Sequence, residues 1–145
     1  MKFVDLLRQP IPLITENDIL KDIVFPDDNA QAVFDKIKGK PAEDLLVVFV
    51  NPDKQVQGVI TSTNVVKFLD EMIAKNSPLE GLKVSELEWD KHESIWLRKD
   101  DIVESVLKKL ATTQENIFIV VDSNSIYAGK IKRKNALSRI RELSD

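Results

Sequence analysis

Apolar and polar positions along this chain of 145 residues form a few patterns, and those patterns are written twice. The apolar run at residues 45–50 (LLVVFV) predicts a buried strand. Asn51-Pro52-Asp53 makes a turn and residues 56–60 a returning arm. Thr61, Ser62 and Thr63 place hydroxyls where a helix begins, and Val65, Val66, Leu69 and Met72 carry that helix to about Ala74. Upstream, the apolar residues within 18–25 predict a strand ending at Pro26, with Asp27 and Asp28 leading into a helix. Ala32, Val33, Phe34 and Ile37 form one face of that helix and Gly39 closes it. A short apolar opening at residues 3–7 is stopped by Pro10 and Pro12.

A shift of 71 positions lays residues 46–72 on 117–143 without a gap. Val50 then meets Val121, Gly58 meets Gly129, Ile60 meets Ile131, Asn64 meets Asn135 and Glu71 meets Glu142. Identity is sparse, but the order of apolar run, polar turn, Gly-x-Ile and amphipathic helix recurs. A shift of 73 extends the repeat upstream: Ile23 falls on Trp96, Asp27-Asp28 on Asp100-Asp101, and Val33, Phe34 and Ile37 on Val106, Leu107 and Leu110. Only the loop between the first helix and the central strand differs, by two residues. Each copy predicts strand, helix, strand, strand, helix, which is a duplicated α/β (α+β) module. The stretch KNSPLEG at residues 75–81 is the expected linker, giving domains at 1–74 and 82–145.

Composition narrows function mainly by exclusion. A formal charge of −3 and a pI near 5.3 give no global attraction to nucleic acid or anionic lipid. Cysteine is absent, so thiolate metal sites, disulfides and cysteine nucleophiles are excluded. The amino-terminal stretch lacks the apolar core of a signal peptide, and the longest apolar run is too short to span a bilayer, so a cytoplasmic protein is expected. His92, the sole histidine, sits in a polar segment and reads as a surface imidazole. Four glycines, two of them marking the repeat, make no phosphate loop of the nucleotide-hydrolase kind. The paired aspartates recur at helix starts, where capping explains them, so no enzyme is expected.

VVFVNPDKQVQGVITSTNVVKFL in the first copy and IFIVVDSNSIYAGKIKRKNALSRI in the second resemble cystathionine-β-synthase-type (CBS) domains, and the tandem pair resembles a Bateman module. The resemblance spans roughly residues 3 to 143. It implies two units related by a pseudo-two-fold axis and an adenosine-containing ligand, such as AMP, ADP or ATP, held in clefts between them. In that family a Ser or Thr after the Gly-x-Ile strand, and an Asp three residues on, hold the ligand. Those positions here are Thr61 and Asn64 in the first copy, and Lys132 and Asn135 in the second. Both expected aspartates are asparagines, each with one acceptor oxygen and a donating NH₂ where a carboxylate has two acceptors. Ile23 and Trp96 are the matching strand residues expected to line the cleft, with Trp96 placed to stack on an adenine.

Lys132, Arg133 and Lys134 open a helix whose amino-terminal end already carries partial positive charge, at about 0.3–1 kcal/mol each. Lys132 and Lys134 are accordingly expected to bind the phosphate of the ligand. Two functions follow: a stand-alone regulatory module that binds an adenosine-containing ligand, or a ligand-free pair serving as a dimerisation or protein-interaction platform. Asn64 and Asn135 in place of aspartates, and Lys130, a charge where the resemblance implies an apolar strand residue, favour the second, and the basic cluster favours the first. The carboxyl-terminal helix of each copy is expected to offer apolar surface to a second chain, making a homodimer.

Overall fold

In a computed structural model that describes residues 1–75 and 81–144, the chain forms two compact units. The first unit is Leu20–Glu93 and the second combines Met1–Ile19 with Ser94–Asp145. Compactness thus divides the chain differently from the contiguous halves expected at 1–74 and 82–145. Residues 76–80 of the expected linker lie outside the described residues.

The first unit holds a three-stranded sheet in the order β1 (Ile23–Val24), β2 (Leu46–Val50), β3 (Val56–Thr61), with helices α2 (Ala30–Ile37) and α3 (Val65–Lys75). The second holds α1 (Phe3–Leu6), a sheet ordered β4 (Trp96–Arg98), β5 (Ile117–Val121), β6 (Tyr127–Lys132), and helices α4 (Val103–Thr112) and α5 (Arg133–Leu143). In each sheet the central strand pairs parallel to the first and antiparallel to the third. The expected strand at residues 18–25 contracts to β1, because only Ile23 and Val24 pair with the central strand.

Register carries the duplication to single residues. Ile23 faces Val48 as Trp96 faces Ile119, and both hairpins bulge at the end of the central strand, at Phe49/Val50 and Val120/Val121. Each turn is built on one side chain. Asn51 Oδ1 accepts from the Asp53 and Gln55 amides, and Asp122 Oδ1 accepts from Asn124 and Ile126. Lys54 and Ser125 hold matching left-handed φ values of 66° and 63°. Asp28 and Asp101 accept from the amides of Phe25 and Arg98, fixing the chain where it turns into the first helix. Lys36 and Lys109 on those helices donate to the carbonyls of Lys21 and Ser94.

In the first unit Val24, Val47 and Ile60 of the sheet bury against Val33, Phe68 and Met72 of the helices. Val84 and Leu87, from the segment leading toward β4, complete that core. This lead-in segment explains the division of the chain. Ala30 donates to the Leu82 carbonyl and Val84 to Asp28, while in the second unit Val103 donates to Gln9 and Ile11 to Asp101. Residues 82–90 therefore complete the first copy and residues 9–16 the second, so the counterpart of Val84–Glu86 is the turn Ile11–Ile14.

Candidate functional site

The helix starts after β3 and β6 carry most of the expected ligand residues. Thr61 ends β3 opposite Leu46 and is 3% exposed, its hydroxyl 2.9 Å from that of Thr63. Asn64 closes the loop on itself: Oδ1 accepts from the Thr61 amide at 2.7 Å and Nδ2 donates to the Val59 carbonyl at 2.8 Å. Its first task is local bracing, which a carboxylate could perform only on the acceptor side. Ile23 is buried on the strand flanking β2 on the other side, two residues further along, and Trp96 holds the same position beside β5.

In the second unit Lys132 ends β6 half-buried, Arg133 begins α5, and Lys134 is exposed on the first turn. The three cations do not form one cluster in function. The Arg133 guanidinium donates to the carbonyls of Leu110 and Thr113, each at 2.8 Å, and of Glu115 at 2.9 Å. These carbonyls lie at the carboxyl end of α4 and just beyond it, where helix carbonyls lack partners and carry partial negative charge. The unfavourable placement at the start of α5 thereby has a structural reason for Arg133.

Asn135 reaches outside its own loop. Its Nδ2 donates to Glu16 Oε2 at 3.2 Å, and both residues line a cavity of about 350 Å³ with Thr15, Arg139 and Glu142. The first unit has a matching cavity of about 340 Å³, in which Asn64, Lys67 and Glu71 of the α3 side face Glu88, Trp89 and Asp90. The match comes from the lead-in segments running along the edges of the third strands. Val59 donates to the Asp90 carbonyl, and Lys130 exchanges two bonds with Glu16 at 2.8 and 2.9 Å. Lys130 itself is buried at 3% exposure. Each asparagine thus shares a cavity with a carboxylate, an arrangement that can accept and donate hydrogen bonds to a diol.

Glu16 and Asp90 were not among the residues expected at the site. The signal was faint: Ile11 and Ile14 fall on Val84 and Leu87 at the shift of 73, after which one extra residue takes Glu16 to Asp90. His92, expected on the surface, is half-buried with φ 52°, and its amide donates to Asp90 Oδ1 at 2.9 Å. Among the described residues no helix is long and apolar enough to cross a membrane.

No protein-family model and no curated protein matches the chain. Solved structures do. CbpB in complex with c-di-AMP superposes with a TM-score of 0.72 at 13% identity, covering 97% of this chain and 90% of that one. A CBS domain protein from Streptococcus pneumoniae TIGR4 gives 0.63 at 19% identity, with 91% and 86% covered. The chain has the fold of a tandem CBS pair. CBSX2 in complex with AMP, at 0.67 and 14% identity over 92% of this chain and 97% of that one, has the same fold. In this chain the loops at 61–64 and 132–135 bring Asn64 and Asn135 to cavities that the lead-in segments also line with carboxylates.

Proposed function

We propose that this CBS pair is a regulatory module that binds an adenosine-containing ligand and signals occupancy by a change of shape or association. The observation that carries the reading is the Glu16–Asn135 pair in its cavity of about 350 Å³. A ribose diol needs an acceptor for each hydroxyl. The carboxamide supplies one acceptor and Glu16 supplies the others, which compensates for the missing aspartate. Lys132 and Lys134 attract the phosphate. The complexes of CbpB with c-di-AMP and of CBSX2 with AMP support the ligand class. Carboxylates line both cavities, so the nucleoside contributes more of the affinity here than the phosphate does.

Calorimetry with AMP, ADP, ATP, S-adenosylmethionine and c-di-AMP tests the reading. A ligand at 100 times its dissociation constant also stabilises by about 2.7 kcal/mol, visible as a raised melting temperature. Lys132→Ala should weaken a phosphorylated ligand more than its nucleoside, and the loss should shrink as salt rises. Glu16→Ala should weaken both equally. Absence of any nucleotide or nucleoside binding would overturn the proposal.

A second reading, a ligand-free platform for homodimerisation, is favoured by one specific observation. Val66 and Ile73, one above the other on α3, are each 76% exposed, and Leu137 on α5 is 47% exposed at the position equivalent to Val66. Light scattering at tens of micromolar, a range in which a stable interface is occupied, would show a dimer that Val66→Glu dissolves.

A further inference from the structure

Thr15 and Trp89 hold the same place in their units. Trp89 Nε1 donates to the Val84 carbonyl at 3.0 Å and Thr15 Oγ1 donates to the Ile11 carbonyl at 2.7 Å. Those carbonyls are equivalent, because the amides of Val84 and Ile11 donate to Asp28 and Asp101 respectively. Both side chains also lie over the glycine of the repeat. A Cβ on Gly58 would collide with Trp89 Cβ, and one on Gly129 would come within 2.7 Å of Thr15 Cγ2. Opposite these glycines on the central strands stand Phe49 and Val120.

In the first unit the place is filled: the rings of Phe49 and Trp89 lie 5.1 Å apart. In the second unit a threonine and a valine stand there instead. Beside them a cavity of about 220 Å³ is lined by Pro12, Thr15, Asn17, Lys99, Val120 and Ala128. Lys99 is exposed and is the charged member of this lining. Neither Asn64 nor Asn135 lines it, and Thr15 is the one residue it shares with the cavity that holds Asn135 and Glu16.

We propose that this cavity binds a small planar aromatic anion, the ring lying against Thr15 and Val120, whose counterparts in the first unit are the aromatic pair Trp89 and Phe49, and the anionic group held by Lys99. A flat ring suits a space two of whose walls, Thr15 and Val120, stand where the first unit has aromatic side chains, since aromatic faces pack well against apolar walls. The anion follows from Lys99, because a carboxylate beside an ammonium at the rim gains a charge-assisted hydrogen bond while staying partly hydrated.

Indole-3-acetate and neutral indole are the probes, titrated into the full chain and followed by methyl NMR. Val120 and Ala128 should shift saturably, with a dissociation constant on the order of 1 mM for a ligand this small. The methyls of Val48 and Val59 in the first unit should stay still. Lys99→Ala should weaken indole-3-acetate about threefold, as expected for a solvent-exposed ion pair, and leave indole unchanged. Thr15→Trp, which restores the filling of the first unit, should abolish binding of both probes. Ala128→Met narrows the cavity from another wall and should do the same, so the test survives if one variant fails to fold. Unshifted Val120 and Ala128 methyls, or undiminished binding in both filled variants, would overturn the proposal.

Discussion

The two units share their backbone hydrogen bonding and differ in what fills them. In the first, Trp89 lies 5.1 Å from both Phe49 and Phe68, packing three rings together over Gly58. The equivalent residues of the second are Thr15, Val120 and Arg139, over Gly129. Strand register, bulges, turn braces and lead-in pairing match nonetheless. What specifies this CBS fold is therefore the set of polar braces and glycines that place the backbone, while the side-chain volumes that stabilise it are free to differ. One unit relies on aromatic burial and the other on cation-to-carbonyl bonds.

Removing the aromatic anchor should break the comparison most severely. Trp89→Ala is expected to destabilise by about 3 kcal/mol, since it deletes two ring contacts and leaves a cavity. Thr15→Ala, at the equivalent place, loses one hydrogen bond and should cost about 1 kcal/mol. Urea unfolding monitored by circular dichroism measures both. Equal losses would mean that the two positions carry the same load and that the difference in filling has no energetic meaning.

A second contrast lies at the end of the first helix in each unit. In the first, α2 stops at Lys38 and the chain turns away through Gly39 at φ 77°, a conformation that costs a side chain strain. In the second, α4 ends at Thr113 without a glycine, and Arg133 caps it from the next helix. Arg133→Ala should cost about 2 kcal/mol, because it leaves three carbonyls without their donor. Arg133→Lys should recover only part of that, since a single ammonium cannot span carbonyls that a planar fork reaches together. Gly39→Ala should cost about 1 kcal/mol, the backbone strain alone, as open space surrounds its Cβ position. An Arg133→Ala loss smaller than that of Gly39→Ala would reverse the contrast.

Most of the fold could be read in the sequence because strands and amphipathic helices write themselves in periodicity, and the repeat doubled each signal. The shift from 71 to 73 even located the loop that Arg133 holds. Less legible was the exchange of lead-in segments, since Ile11 and Ile14 on Val84 and Leu87 are too few apolar matches to announce a pairing made by backbone amides. For the same reason Glu16 and Asp90 went unseen: they reach the asparagine cavities through strand-edge bonds, which leave no trace in side-chain pattern. Arg133 looked like part of an anion site because its charge is visible in sequence and its acceptors, some twenty residues upstream, are not.

The smallest expected effect concerns Lys109, whose ammonium donates to the carbonyls of Ser94 and Trp96, each at 3.0 Å. Burial pushes its pKa below the ordinary lysine value of 10.5, and the nearby Asp101 carboxylate pulls the other way without reversing the shift. Between the lowered value and the ordinary one, the unfolded chain binds more protons than the folded chain, so stability rises with pH across that window. Below both values the cost of burying the charge is present in full. The stability of the wild type relative to Lys109→Met should accordingly increase as pH climbs through the alkaline range and level off near 10.5. Lys36→Met, which removes the equivalent lysine of the first unit, measured alongside accounts for the loss of the shared bond to the carbonyl two residues before the first strand. Chemical denaturation at several alkaline pH values gives the slope, and a flat or falling difference would show that Asp101 and the two carbonyls outweigh desolvation at this helix.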